Sequence, residues 1–151
     1  DPQRTWVALD SVADPGNLGT ILRSAEAAGA QAVLLPPGNT DAFGPKVVRS
    51  GMGAHFRLPI HHLPWDVIEH LLHGLAVFHA DMQGEHIFWQ ADFKQPLALL
   101  IGGEAEGVSA KSAKLATSSV RIPMAGETES LNAAISGSLL MFEVYRQRFG
   151  N

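Results

Sequence analysis

Three stretches of this sequence gather the polar, charged and glycine residues that an active site would use. The first is Asn17-x5-Arg23-x5-Gly29, within DPGNLGTILRSAEAAG. The Arg23 guanidinium offers a rigid five-donor fork suited to phosphate and ribose oxygens, and Asn17 is either a helix cap or a partner for it. Helical geometry sets Arg23 roughly 100° from Leu22, beside the apolar stripe rather than opposite it, where a guanidinium can lean over a cleft. The second stretch is Leu100-Ile101-Gly102-Gly103-Glu104-Ala105-Glu106-Gly107. Glycines after an apolar run either let a ligand approach the backbone closely or simply make a tight turn. The run is neither a G-x-G-x-x-G fingerprint nor a phosphate loop ending in Gly-Lys-Ser/Thr. Its two carboxylates would repel a phosphate and tolerate a cationic ligand. The third stretch runs from Ile122-Pro123-Met124 to Ser130-Leu131-Asn132. Ser130 and Asn132 flank Leu131 where a last helix is expected to begin, so capping explains either of them. Asn132 inside a first turn is a poor helix former, which hints at a second task.

Each stretch follows an apolar run, and the rest of the chain alternates between the two periods of regular structure. Strands are expected at 6–9, 32–35, 56–60, 76–80, 97–101 and 120–123, with Pro59 near a sheet edge. Helices are expected at 18–28, 45–50, 67–75, 110–117 and 131–148, with Gly29 as a stop for the first. Residues 97–101, Leu-Ala-Leu-Leu-Ile, lack polar alternation, as a central parallel strand covered on both faces should. The pattern implies an α/β fold, a mainly parallel sheet flanked by helices. In open sheets of this kind ligands bind at the carboxyl ends of strands, where all three stretches lie.

A chain of 151 residues, 46% hydrophobic and 17% charged, fits one domain with a real core. There is no cysteine, which excludes disulfides, thiolate metal sites and cysteine nucleophiles and suits a reducing compartment. No run approaches about 18 consecutive apolar residues, so no membrane span is expected. The net charge of −4 argues weakly against a nucleic-acid partner, but its distribution matters more. Residues 61–110 hold one cation against seven carboxylates, whereas residues 42–60 hold Lys46, Arg49 and Arg57 and no carboxylate. His61-His62 and His70-x-x-His73 lie outside the three stretches, and without H-E-x-x-H a metal site is not expected.

In order and spacing, the three stretches resemble the signature motifs of the SPOUT superfamily of RNA methyltransferases, in its TrmH-like (SpoU) branch of ribose 2′-O-methyltransferases. PKVVRSGMGAHFRLPI at 45–60 is similar to a stretch seen in many members. The resemblance covers about residues 5–148. It departs at Ala133-Ala134-Ile135-Ser136, where many members have Val-Ser-Val-Ala. It implies the SPOUT (α/β knot) fold, with a C-terminal trefoil knot that sequence patterning would never suggest. It implies S-adenosyl-L-methionine as cofactor, held by Gly102, Ile122 and Leu131 with Leu100 and Met124 as neighbours. It implies methyl transfer to a ribose 2′-hydroxyl, with Arg23 orienting the target, Ser130 and Asn132 positioning the ribose, and Asn17 and Glu104 orienting Arg23. It implies a homodimer with the last helix in the interface, and an RNA partner contacted by Lys46, Arg49 and Arg57, ribosomal RNA ahead of transfer RNA. Residues 1–151 are then expected to be a single catalytic domain in the cytoplasm, opening with Asp1-Pro2 and without the N-terminal RNA-recognition domain that many members carry. The alternatives are a transfer-RNA 2′-O-methyltransferase, a non-catalytic RNA-binding or assembly factor that kept the fold, and a nucleotide-binding domain with other chemistry. Intact Arg23, Glu104, Ser130 and Asn132 argue against the second, and the missing phosphate loops against the third.

Overall fold

The computed structural model describes residues 1–103, 108–128 and 130–150. Its strands are β1 (Thr5–Asp10), β2 (Ala32–Leu35), β3 (Ile60–His62), β4 (Ala76–Ala80), β5 (His86–Ile87), β6 (Leu97–Gly102) and β7 (Ser118–Arg121). They form one sheet in the order β3-β2-β1-β6-β4-β7-β5, every pair parallel. The helices are α1 (Pro15–Ala27), α2 (Pro45–Gly51), α3 (Trp65–Leu72), α4 (Ala110–Leu115) and α5 (Ala133–Phe149).

The sheet separates two cores, and pleating sorts residues between them. Val7 and Leu9 of β1, and Leu97, Leu99 and Ile101 of β6, face the larger core, built with α1, α2 and α5. Ala8, Ala98 and Leu100 face the smaller one, built with Ile68 and Leu72 of α3. A strand with a core on each side needs apolar residues at every position, which is why β6 shows no alternation. None of the helices among the described residues is long and apolar enough to cross a membrane.

Several boundaries differ from the sequence expectation. The expected strand at 56–60 is displaced: residues Ala54–Phe56 form a single 3-10 turn and β3 starts at Ile60. Met52 (φ 50°) and Gly53 (φ 88°) turn the chain after α2, so Phe56 and Arg57 point outward while only Leu58 is buried. Pro59 does precede the edge strand, and its carbonyl accepts from the Val33 amide at 2.9 Å. Strand β5, two residues long, carries no pattern to detect. Helix α1 begins earlier than expected, because the Asp14 side chain caps it by accepting from the Asn17 amide at 3.0 Å. Helix α3 stops at Leu72, ahead of Gly74 at φ 84°.

Candidate functional site

A cleft of about 400 Å³ opens at the carboxyl ends of β4, β6 and β7. That volume is within the usual range for small-molecule sites. Leu100, Gly102, Ile122, Met124 and Leu131, the five positions expected to hold a cofactor, all line it, as does Ser130. The cleft therefore draws on the second and third stretches, which are about 20 residues apart in sequence. Its walls combine aliphatic side chains with backbone at Gly102, and polar groups stand at Ser130, Ser136 and Asp81.

The backbone here is packed too tightly for side chains. A Cβ on Gly103 would lie 2.0 Å from the Ser11 carbonyl oxygen, so only glycine lets the chain leave β6 across the end of β1. Asp10 organises this crossing. Its carbonyl accepts from the Gly103 amide at 2.8 Å, and its carboxylate accepts from the Ser109 amide at 2.6 Å and the Ser11 hydroxyl at 3.2 Å. One residue thus pins both ends of the segment that carries Glu104. Glu104 itself, expected to take part in catalysis, lies outside the described residues. Asp10 is only 3% exposed. Burial alone would push its carboxyl up, but the Ser109 amide and the surrounding serine hydroxyls favour the ionised form and hold it below its ordinary range.

Asn132 joins the first stretch to the third. It is not inside the first turn of the last helix, as expected, but is its N-cap: its Oδ1 accepts from the amides of Ala134 (2.8 Å) and Ile135 (3.3 Å). A capping asparagine has its amide nitrogen left over, and here Nδ2 donates to Asn17 Oδ1 at 3.0 Å. The second task hinted at by its poor helix propensity is visible in that bond. Asn17 in turn sits in the first turn of α1 and is not its cap. A 2.6 Å hydrogen bond between the Ser24 and Ser138 hydroxyls holds α1 to α5 further along.

Arg23 stands on the exposed side of α1, next to Ser24, and is not part of the cleft wall. It makes no hydrogen bond or ion pair with a described residue, so its fork is available to an incoming group. Lys46 and Arg49 are exposed on α2. That helix lies directly on α1: a Cβ on Gly19 would fall 2.8 Å from the Val47 carbonyl oxygen. Arg57, expected to touch phosphate, is paired with Glu26 of α1, Nε to Oε1 at 2.8 Å. Glu26 follows Arg23 by one turn, so this ion pair sets the 42–60 segment beside the face of α1 that carries Arg23.

Several lining residues escaped the sequence analysis, and one of them is a buried polar group. His79 of β4 borders the cleft, and its Nδ1 is buried with no partner among the described residues. The signal was present: His79-Ala80-Asp81 is a polar interruption at the end of an apolar strand, like the other three. Among the described residues no three histidine or carboxylate side chains come together to hold a metal ion.

The profile of the SpoU rRNA Methylase family matches residues 4–142. The 23S rRNA (guanosine(2553)-2′-O)-methyltransferase RlmP of Bacillus subtilis is 36% identical over 143 residues, a match covering 93% of this chain and 58% of that protein. Human mitochondrial rRNA methyltransferase 3 is 36% identical, with 93% of this chain and 46% of that protein covered. The solved SpoU methyltransferase AviRb from Streptomyces viridochromogenes, in complex with the cofactor AdoMet, superposes with a TM-score of 0.88 at 35% identity, covering 97% of this chain and 58% of that one. The chain thus spans about half the length of these relatives. With the sheet order, the cleft and the matched residues in agreement, the chain belongs to the SpoU rRNA methylase family.

Proposed function

We propose that this chain is the catalytic domain of an S-adenosyl-L-methionine-dependent RNA methyltransferase that modifies a ribose 2′-hydroxyl of ribosomal RNA. The observation that carries this reading is the cleft of about 400 Å³ lined by Leu100, Gly102, Ile122, Met124 and Leu131, with Ser130 on its wall and the Asn17–Asn132 bond beside it. The residues fit the cofactor. Aliphatic walls and close backbone suit an adenine ring, and the polar groups at Ser130, Ser136 and Asp81 suit the ribose and amino-acid parts. Bound there, the cofactor supplies a methyl group on a cationic sulfur. The chain's residues supply alignment. Ser130 and Asn132 position the ribose, Asn17 fixes Asn132, and Arg23 holds the target phosphate and 2′-oxygen, assisted by Glu104. A guanidinium does not surrender its proton in a protein, so Arg23 orients and balances charge while the hydroxyl proton leaves to another acceptor.

The same reading includes a C-terminal trefoil knot, supported by the convergence on one cleft of the chain leaving β6 and the segment before α5. It includes a homodimer through α5, supported by the exposed apolar stripe on that helix. Ribosomal RNA is favoured over transfer RNA because the two relatives named above are rRNA methyltransferases. The reading includes a cytoplasmic location, a compartment where ribosomal RNA is met.

Methyl transfer from labelled cofactor to ribosomal RNA, with products mapped as 2′-O-methyl nucleotides, tests the reading. Arg23→Ala should lower the rate at least about a hundredfold, the usual cost of losing a group aimed at developing charge, with cofactor affinity by calorimetry preserved. No transfer by the unaltered protein, or equal turnover by Arg23→Ala, sinks it.

A further inference from the structure

The most exposed large apolar side chain among the described residues is Phe56, at 87%. Burying a phenyl ring is worth about 1.5–3 kcal/mol, so a partner that covers Phe56 gains that much. Phe56 closes the 3-10 turn after α2, and its surroundings are unusual. Met52 is exposed as well, Lys46 and Arg49 lie on the preceding helix, and Arg57 follows directly. No carboxylate occurs between Ala42 and Ile60. The Arg57–Glu26 pair fastens this segment to α1 one turn beyond Arg23.

We propose that Phe56 is a stacking platform for an unpaired RNA base flanking the methylated nucleotide, with Lys46 and Arg49 following the backbone. The proposal rests on the RNA reading above and adds a surface that the cleft does not include. An exposed ring on a segment that carries Lys46 and Arg49 and no carboxylate of its own has the chemistry by which proteins bind single-stranded RNA: every base has a π face, and the flanking phosphates meet positive charge. A second copy of the chain is the less suitable occupant. A two-fold contact through this segment would bring its own cations together.

Fluorescence anisotropy at low salt with a labelled 12-nucleotide single-stranded RNA of mixed sequence, and with the same strand in a duplex, tests the proposal. Phe56→Ala should weaken single-strand binding roughly tenfold, as expected for loss of one stacked base, and Phe56→Trp should restore it. Duplex binding should change little, because its bases are already stacked. Calorimetry with S-adenosylmethionine checks that each variant keeps the cleft. Equal single-strand affinity for Phe56→Ala and the unaltered protein overturns the proposal while leaving the methyltransferase reading intact. A change of oligomeric state in Phe56→Ala also overturns it, in favour of a second copy. Failure of the unaltered protein to bind either RNA and to methylate ribosomal RNA removes the RNA reading itself.

Discussion

Among the surfaces that expose large apolar side chains, those on α5 and on the α2 segment differ in what surrounds them. On α5, Ile135, Leu139, Phe142, Tyr145 and Phe149 recur at helical spacing and are each 40–54% exposed. The three rings run in contact along the helix, Phe142 to Tyr145 at 6.5 Å and Tyr145 to Phe149 at 5.3 Å between centroids. None of the five is charged, and the stripe is continuous. On the α2 segment, Val48, Met52 and Phe56 share a short stretch with the cations Lys46, Arg49 and Arg57. A continuous apolar stripe matches the centre of a protein interface, where charged residues are depleted. Apolar groups interleaved with cations match a nucleic-acid surface, which has to meet bases and phosphates together. The opposite face of α5 is buried against β6 and α1, so that helix is apolar on two sides and a single domain satisfies only one of them.

The largest expected effect separates these surfaces directly. Phe142→Glu puts a charge in the middle of the α5 stripe and should weaken self-association at least about a hundredfold, the scale of a central hot spot. Sedimentation should show a dimer at micromolar concentration for the unaltered protein and a monomer for the variant. A dimer that survives Phe142→Glu would break the contrast. The next effect belongs to neither surface and checks that the variants act locally. Asp10→Asn should destabilise the chain by about 1–3 kcal/mol at neutral pH, because an amide cannot accept from the Ser109 and Ser11 donors as a carboxylate does. The folded-state pKa of Asp10 lies below its ordinary value of 3.8. Its contribution is therefore complete above that value and lost as pH falls through the folded-state pKa. Melting curves of the two proteins should accordingly converge in acid, and a constant gap would count against the clamp. The smallest effect sharpens the nucleic-acid side. Lys46→Ala combined with Arg49→Ala should flatten the salt dependence of single-strand binding by about 0.7 in log–log slope per lost phosphate contact. Dimer formation should be unmoved.

Much of the fold was legible from hydrophobic patterning. The β6 run announced a strand covered on both sides, and the alternation of strand and helix announced a parallel sheet. What escaped was either too short to form a pattern or set by backbone conformation. Strand β5 has two residues, and the turn at Met52 and Gly53 rotated Phe56 out of the strand expected for it. The five cleft residues were legible by resemblance, and the geometry gathers them. Asn132 was legible as a possible cap and, by resemblance, as a residue positioning the ribose, but not as a partner of Asn17. Its position as the α5 cap, with its spare amide on Asn17, appears when residues 115 apart in sequence are brought together. His79 was missed because one polar residue at a strand end is ordinary until the cleft shows what it borders.

By itself the sequence determined the element types, the parallel sheet, the family and the chemistry available, because these depend on local period, composition and the order of short motifs. Only the tertiary structure decided which groups are engaged and which are free. Arg57 proved to be paired with Glu26, Arg23 proved to have no described partner, and Asp10, the last residue of β1, proved also to be a buried clamp. The reason is physical. A hydrogen bond or ion pair requires atoms within about 3 Å. Separations of that size between distant parts of the chain are set by how the helices settle on the sheet, which no local pattern encodes.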